Sequence, residues 1–146
     1  MISEMWDKRF LDLAAHVASF SKDPSTQTGG IIVRPDRTVV SVGFNGFPRG
    51  IYDDPKLLNN REEKYKRVVH SEMNAILSAR ENLQGYTLYN WPGQSCERCA
   101  VHVIQAGIKH VVSPGIAPEG FTERFAESWK LTEALFDEAG VKYWYV

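Results

Sequence analysis

Four side chains in this 146-residue chain combine types that bind metal and move protons with a spacing that could bring them together: His70, Glu72, Cys96 and Cys99. The two cysteines sit three positions apart, so at the start of a helix both sulfurs can face one point, and the positive helix end favours their thiolates. Zinc takes thiolate and imidazole ligands in a tetrahedral site. His70, at the start of a neighbouring helix, would supply a third ligand and leave one position open, the arrangement of a catalytic rather than a structural zinc. Glu72 lies two residues past His70, close to the metal without being a ligand. A carboxylate there can accept a proton from an activated water and pass it to a leaving group.

Each half of this constellation has a plainer reading. A lone histidine before an apolar helix is usually a partly buried side chain, and a lone Cys-x-x-Cys can be redox active. A closed structural zinc would need a fourth ligand from His16, His102 or His110, of which His102 is three residues beyond Cys99. Both halves falling at predicted helix starts favours the open catalytic site.

The elements that must carry these residues follow from periodicity. Ser3 to Phe20 has helical apolar spacing with Ser3 as its N-cap, ended by Asp23-Pro24. Gly29–Val33 and Thr38–Val42 are β-rich runs joined by Arg34-Pro35-Asp36-Arg37, a hairpin signal. Gly43 to about Asn60 reads as a loop. A second helix is expected from His70 to Arg80, a strand over Tyr86–Asn90, and a helix from Cys96 to Ala106 stopped by Gly107. A buried strand at Ile108–Val112, a helix over Thr122–Ala139 and a strand at Val141–Val146 complete the chain. The mixed-sign run Arg61 to Arg67 reads as a solvated helix face or a subunit contact. Helical crossovers make the later strands parallel, so the fold class is α/β, three layers α-β-α around a five-stranded mixed sheet. The length fits one domain, residues 1–146. A net charge of −1 gives no bulk attraction for nucleic acid or an anionic membrane. No apolar run reaches the length of a membrane span, and the charged N-terminal segment does not read as a signal peptide. A cytoplasmic location is therefore expected.

Longer stretches around the four residues resemble the deoxycytidylate (dCMP) deaminase family. They are His-Ser-Glu-Met-Asn-Ala-Ile at 70–76, Cys-Glu-Arg-Cys-Ala at 96–100 and Ile-Gln-Ala-Gly-Ile at 104–108. Asp-Pro-Ser-Thr-Gln-Thr-Gly at 23–29, Gly-Phe-Asn-Gly-Phe-Pro-Arg-Gly at 43–50 and Glu-Ala-Gly-Val at 138–141 extend the likeness over almost the whole chain. His-x-Glu with Cys-x-x-Cys alone marks zinc nucleobase deaminases broadly; the segments at 23–29 and 43–50 narrow it to the nucleotide branch. The resemblance implies a cytidine deaminase-like fold and a Zn2+ cofactor on His70, Cys96 and Cys99. It implies hydrolysis of dCMP to dUMP and ammonia with Glu72 moving the protons, supplying dUMP for thymidylate synthesis; 5-substituted dCMP and dCTP are further candidate substrates. It places Asn45 on the sugar and the Ser71 backbone near the base. For the pocket wall Trp91 is the candidate, and for the phosphate Thr26, Gln27 and Arg49. Family members are homo-oligomers, often hexamers, and some respond to dCTP and dTTP. Two departures stand out: Ser95 occupies the usual proline position before the first cysteine, and the Tyr-His pair of several members is missing between Ser113 and Glu127. The rival readings are a tRNA adenosine or other nucleobase deaminase, against which the near-neutral charge argues, and a non-catalytic zinc-stabilised binding module.

Overall fold

A computed structural model describes residues 3–146 of the chain. Helix α1 (Glu4–Ala18) starts where Ser3 accepts the Trp6 N–H and buries Phe10, Leu11, Ala14 and Val17, as the periodicity predicts. Strand β1 (Gly29–Val33) pairs antiparallel with β2 (Val39–Phe44). The second strand runs two residues past the expected end because Gly29 takes Phe44 as its partner across the hairpin. After β2 the expected loop contains two short helices, α2 (Pro55–Leu58) and α3 (Arg61–Tyr65). Neither has an apolar period; the local signals are Asp54 and Asn60, whose side chains cap them.

Helix α4 (Ser71–Ser78), strand β3 (Thr87–Trp91) and helix α5 (Glu97–Gln105) follow, then β4 (His110–Ser113), α6 (Phe121–Ala139) and β5 (Lys142–Tyr145). The sheet order is β2-β1-β3-β4-β5. The β1–β3 pair is antiparallel and the β3–β4 and β4–β5 pairs are parallel, giving the five-stranded mixed sheet that alternating helices and strands imply.

Two apolar layers flank it. On one face Phe10, Leu11 and Val17 of α1 pack on Ile31, Tyr89 and Val112. On the other, Ala75 of α4, Val103 of α5 and Phe136 of α6 pack on Ile32, Leu88 and Val111. Alternation along β3 thus sends Tyr89 toward α1 and Leu88 toward α4, α5 and α6. Burial of such side chains supplies the main driving force for the fold, at about 25 cal/mol per Å². Two glycines set how closely helices approach the sheet. A Cβ on Gly29 would strike the Ala14 carbonyl, and one on Gly43 would strike the Ser71 carbonyl and the Ala75 amide. The first turn of α4 is therefore seated on the backbone of β2. No helix among the described residues is long and apolar enough to cross a membrane.

Candidate active site

His70 and Cys96 occupy equivalent positions. Each is the N-cap of its helix, with extended backbone (ψ 157° and 163°), and neither makes a side-chain cap hydrogen bond. N-cap side chains ordinarily bond the exposed amides of the first turn; here the imidazole and the thiol are left free and turn toward each other. His70 Nδ1 lies 3.4 Å from Cys96 Sγ and 3.3 Å from Cys99 Sγ. The three donor atoms all lie within 4.8 Å of one another. A tetrahedral zinc with ordinary Zn–N and Zn–S bonds separates its nitrogen and sulfur ligands by roughly 3.5 Å, so this donor set fits zinc in both chemistry and spacing. Cys99 is buried and Cys96 half-buried.

The electrostatics suit a divalent cation. The Cys96 thiol is pushed down to about 4, first by its hydrogen bond with Cys99 and then, against burial, by His70. Cys99 is pushed up by sharing that hydrogen bond, by burial and by the Glu72 carboxylate. The His70 imidazole is raised by its hydrogen bond with Cys96, against burial, with Glu72 and Cys96 adding to the rise. One thiolate forms readily, and a second beside it requires a positive charge between them. The other histidines are engaged elsewhere: His102 Nδ1 lies 2.7 Å from the Arg98 carbonyl, His16 packs on Phe20 and His110 on Trp144. Among the described residues, the only group of three potential metal donors is His70, Cys96 and Cys99. That matches the open three-ligand arrangement.

Glu72 is buried, and its Oε1 accepts the Ser71 hydroxyl at 3.0 Å. That bond engages one oxygen of the carboxylate. Glu72 lines a cavity of about 400 Å³ together with His70, Ser71, Cys96, Asn45, Thr26 and Trp91. Gln27 and Arg49 are not brought to it. The Gln27 amide donates to the Ser21 carbonyl at 2.7 Å, and Arg49 is exposed on its loop.

Several lining residues carry no mark in the sequence. Lys64, expected on a solvated face, is buried: its Nζ lies 3.1 Å from Asp23 Oδ1 and 2.8 Å from Ser25 Oγ. Burial would raise the Asp23 carboxyl, but the Thr26 and Ser25 amides and the Lys64 ammonium outweigh it and hold the group below its ordinary value. From α6, the mutually packed rings of Phe121, Phe125 and Trp129 form one wall, and Arg124, whose guanidinium donates to the Tyr65 hydroxyl at 2.9 Å, lines the cavity beside them. The i, i+4, i+8 spacing of the three aromatics was the available signal for that wall. The loop before Cys96, which lacks the usual proline, is braced by hydrogen bonds. Ser95 Oγ accepts from Asn90 Nδ2 at 2.7 Å and the Ser95 carbonyl accepts from the Thr132 hydroxyl at 2.8 Å.

A mixed sheet, two helix starts bearing a His/Cys/Cys donor set and a buried carboxylate in the same cavity define a zinc-dependent hydrolase. Residues 4–114 match the cytidine and deoxycytidylate deaminase zinc-binding region, and the chain belongs to that family. It is 42% identical over 144 residues to an uncharacterized deaminase of the luxG 3' region in Aliivibrio fischeri, covering 97% of this chain and 93% of that one. It is 34% identical over 148 residues to human deoxycytidylate deaminase, covering 94% and 78%. In three dimensions it superposes on the dCMP deaminase of cyanophage S-TIM5, solved with dCMP and dUMP, with a TM-score of 0.77 over the full length of both chains at 19% identity. That last likeness is one of fold.

Proposed function

We propose that this chain is a single-domain enzyme that hydrolyses dCMP to dUMP and ammonia. The observation that carries the reading is one cavity lined by two chemically distinct sets of residues: the buried carboxylate Glu72 with the metal donors His70 and Cys96, and the cation Arg124 with Thr26. The first set suits a base and the second a phosphate. Kinship with deoxycytidylate deaminases along almost the whole chain supports the same substrate.

Zinc bound by His70, Cys96 and Cys99 would supply Lewis-acid activation, which can bring the pKa of a water molecule to about 7. Glu72 takes a proton from the attacking water as its oxygen bonds C4 of the base. The carboxyl then returns that proton to N3 and carries a second, taken from the hydroxyl now on C4, to the exocyclic nitrogen, whose bond to C4 breaks as the C4 carbonyl forms, releasing ammonia. Ser71 holds the carboxylate in one orientation throughout. Asn45 supports the sugar, and Trp91 with the aromatic wall of α6 encloses the base and excludes water. Arg124 is planar and multidentate, suited to a phosphate, and takes the part first assigned to Arg49 and Gln27. A homo-oligomer in the cytoplasm, responsive to dCTP and dTTP, completes the reading by kinship.

The test is ammonia release from a panel of dCMP, CMP, dCTP, 5-methyl-dCMP and deoxycytidine at equal concentration. Highest kcat/KM on a deoxynucleoside monophosphate is expected. Preference for the free nucleoside over dCMP would refute the nucleotide assignment.

A further inference from the structure

Cys96 makes no side-chain cap hydrogen bond at the start of α5, and its thiol turns toward His70. The first amide of that helix, on Glu97, has no partner within the helix. It is met from α6: Ser128 Oγ accepts the Glu97 N–H at 3.3 Å, and the Ser128 hydroxyl donates in turn to the Glu97 carboxylate. One turn further along α6, the Thr132 hydroxyl donates to the Ser95 carbonyl at 2.8 Å. Residues four apart share one face of a helix, so a single face of α6 holds the chain on both sides of a metal donor.

Ser95 is engaged at each of its polar atoms. Its amide donates to Gln94 Oε1 at 2.9 Å, its Oγ accepts from Asn90 Nδ2 at 2.7 Å and its carbonyl takes the Thr132 hydroxyl. A proline at this position would stiffen the chain through its fixed φ. A serine carries no such restriction, and hydrogen bonds from β3 and α6 stand in its place. Ser95 and Thr132 are both buried, so these bonds form out of competition with water, and removing one partner leaves the other unsatisfied. Zinc takes its nitrogen and sulfur ligands at closely defined distances. A start of α5 free to drift would carry Cys96 away from His70 and Cys99.

We infer that Ser128 and Thr132 are positioning residues for the metal: acting through Glu97 and Ser95, they clamp the start of α5 so that the Cys96 sulfur stays with the other two donors, and the affinity for zinc depends on them. This rests on the zinc reading of His70, Cys96 and Cys99. It assigns to α6, which carries no metal donor, a part in holding the ion.

The test compares wild type with Thr132→Val, which keeps the shape and loses the hydroxyl, Thr132→Ser, which keeps the hydroxyl, Ser128→Ala and the double variant Ser128→Ala/Thr132→Val. Zinc affinity is read by competition with a chromophoric chelator, without substrate. Cobalt(II) is loaded in place of zinc and its thiolate-to-metal and d–d absorption recorded. Melting temperature is measured with and without zinc. Thr132→Val and Ser128→Ala are each expected to weaken zinc by roughly 10-fold and the double variant by roughly 100-fold, the range for groups that orient metal ligands. The cobalt spectrum should shift, and the rise in melting temperature on adding zinc should shrink. Thr132→Ser should bind zinc as wild type does. Zinc affinity and cobalt spectrum unchanged in the double variant would overturn the inference, however far the melting temperature falls, because the two hydroxyls would then serve the fold alone. Equal weakening in Thr132→Ser and Thr132→Val would trace the effect to packing and also overturn it. Failure of wild type itself to bind zinc would instead defeat the metal reading on which the inference rests.

Discussion

The two halves of the catalytic cavity are built on different principles. The metal end is made of backbone: His70 and Cys96 are helix N-caps, Cys99 is one turn on, and α4 is pressed against β2 at a glycine. The other half is made of long side chains from separate segments: Lys64 of α3, Arg124 of α6 and the 23–28 turn. The first half fixes chemistry that tolerates little displacement, since proton transfer requires hydrogen-bond distances. The second fixes preference, and side-chain exchange can retune it without moving a helix.

That contrast can be broken most severely at the metal end. Cys99→Ala should remove zinc, leave no measurable ammonia release and lower the melting temperature, read by elemental analysis and calorimetry. Retention of stoichiometric zinc would show that the donor set is misassigned. Next in size, Glu72→Gln should keep zinc and fold while kcat falls by about 10²–10⁴, the usual contribution of a positioned acid–base group; more than a tenth of wild-type turnover would exclude Glu72 as the proton carrier. In the other half the effect should be smaller and selective. Arg124→Ala is expected to cost roughly 10- to 100-fold in kcat/KM on dCMP, the worth of a charge-assisted hydrogen bond, and little on deoxycytidine. Equal losses on both would remove the phosphate role.

The smallest effect is on stability against pH. Asp23 has a folded pKa below its ordinary value of about 3.9. Its stabilising contribution is therefore complete above the ordinary value and lost as pH falls through the lower, folded one. In Asp23→Asn the acid-side decline in melting temperature between about pH 5 and pH 2 should be shallower than in wild type. Parallel declines would mean that Asp23 is not held ionised in the fold.

The same division decides what the sequence makes legible. The metal end depends on spacing within two short stretches, so His70, Glu72, Cys96 and Cys99 stand out unaided. The order of helices and strands is equally local, and α1, β1, α5 and α6 fall within a residue or two of their expected bounds. The other half depends on which distant segments meet. Lys64 sits among Arg61, Glu62, Glu63, Lys66 and Arg67, and nothing nearby distinguishes it; its burial is imposed by Asp23. Arg49 and Gln27 have attractive neighbours but face elsewhere, while Arg124, on the face of α6 turned to the cavity, does not. The short helices after β2 escaped notice because four- and five-residue helices have no room for an apolar period.

The seat of α4 on Gly43 has a practical consequence for anyone re-engineering this scaffold. Because the outermost strand and the helix that carries Glu72 touch backbone to backbone, neither can be grafted, lengthened or re-angled alone, and any side chain at that glycine would displace the start of that helix and Glu72 with it. Libraries aimed at new bases or bulkier leaving groups belong on the aromatic face of α6, which can be varied with the machinery beneath it left untouched.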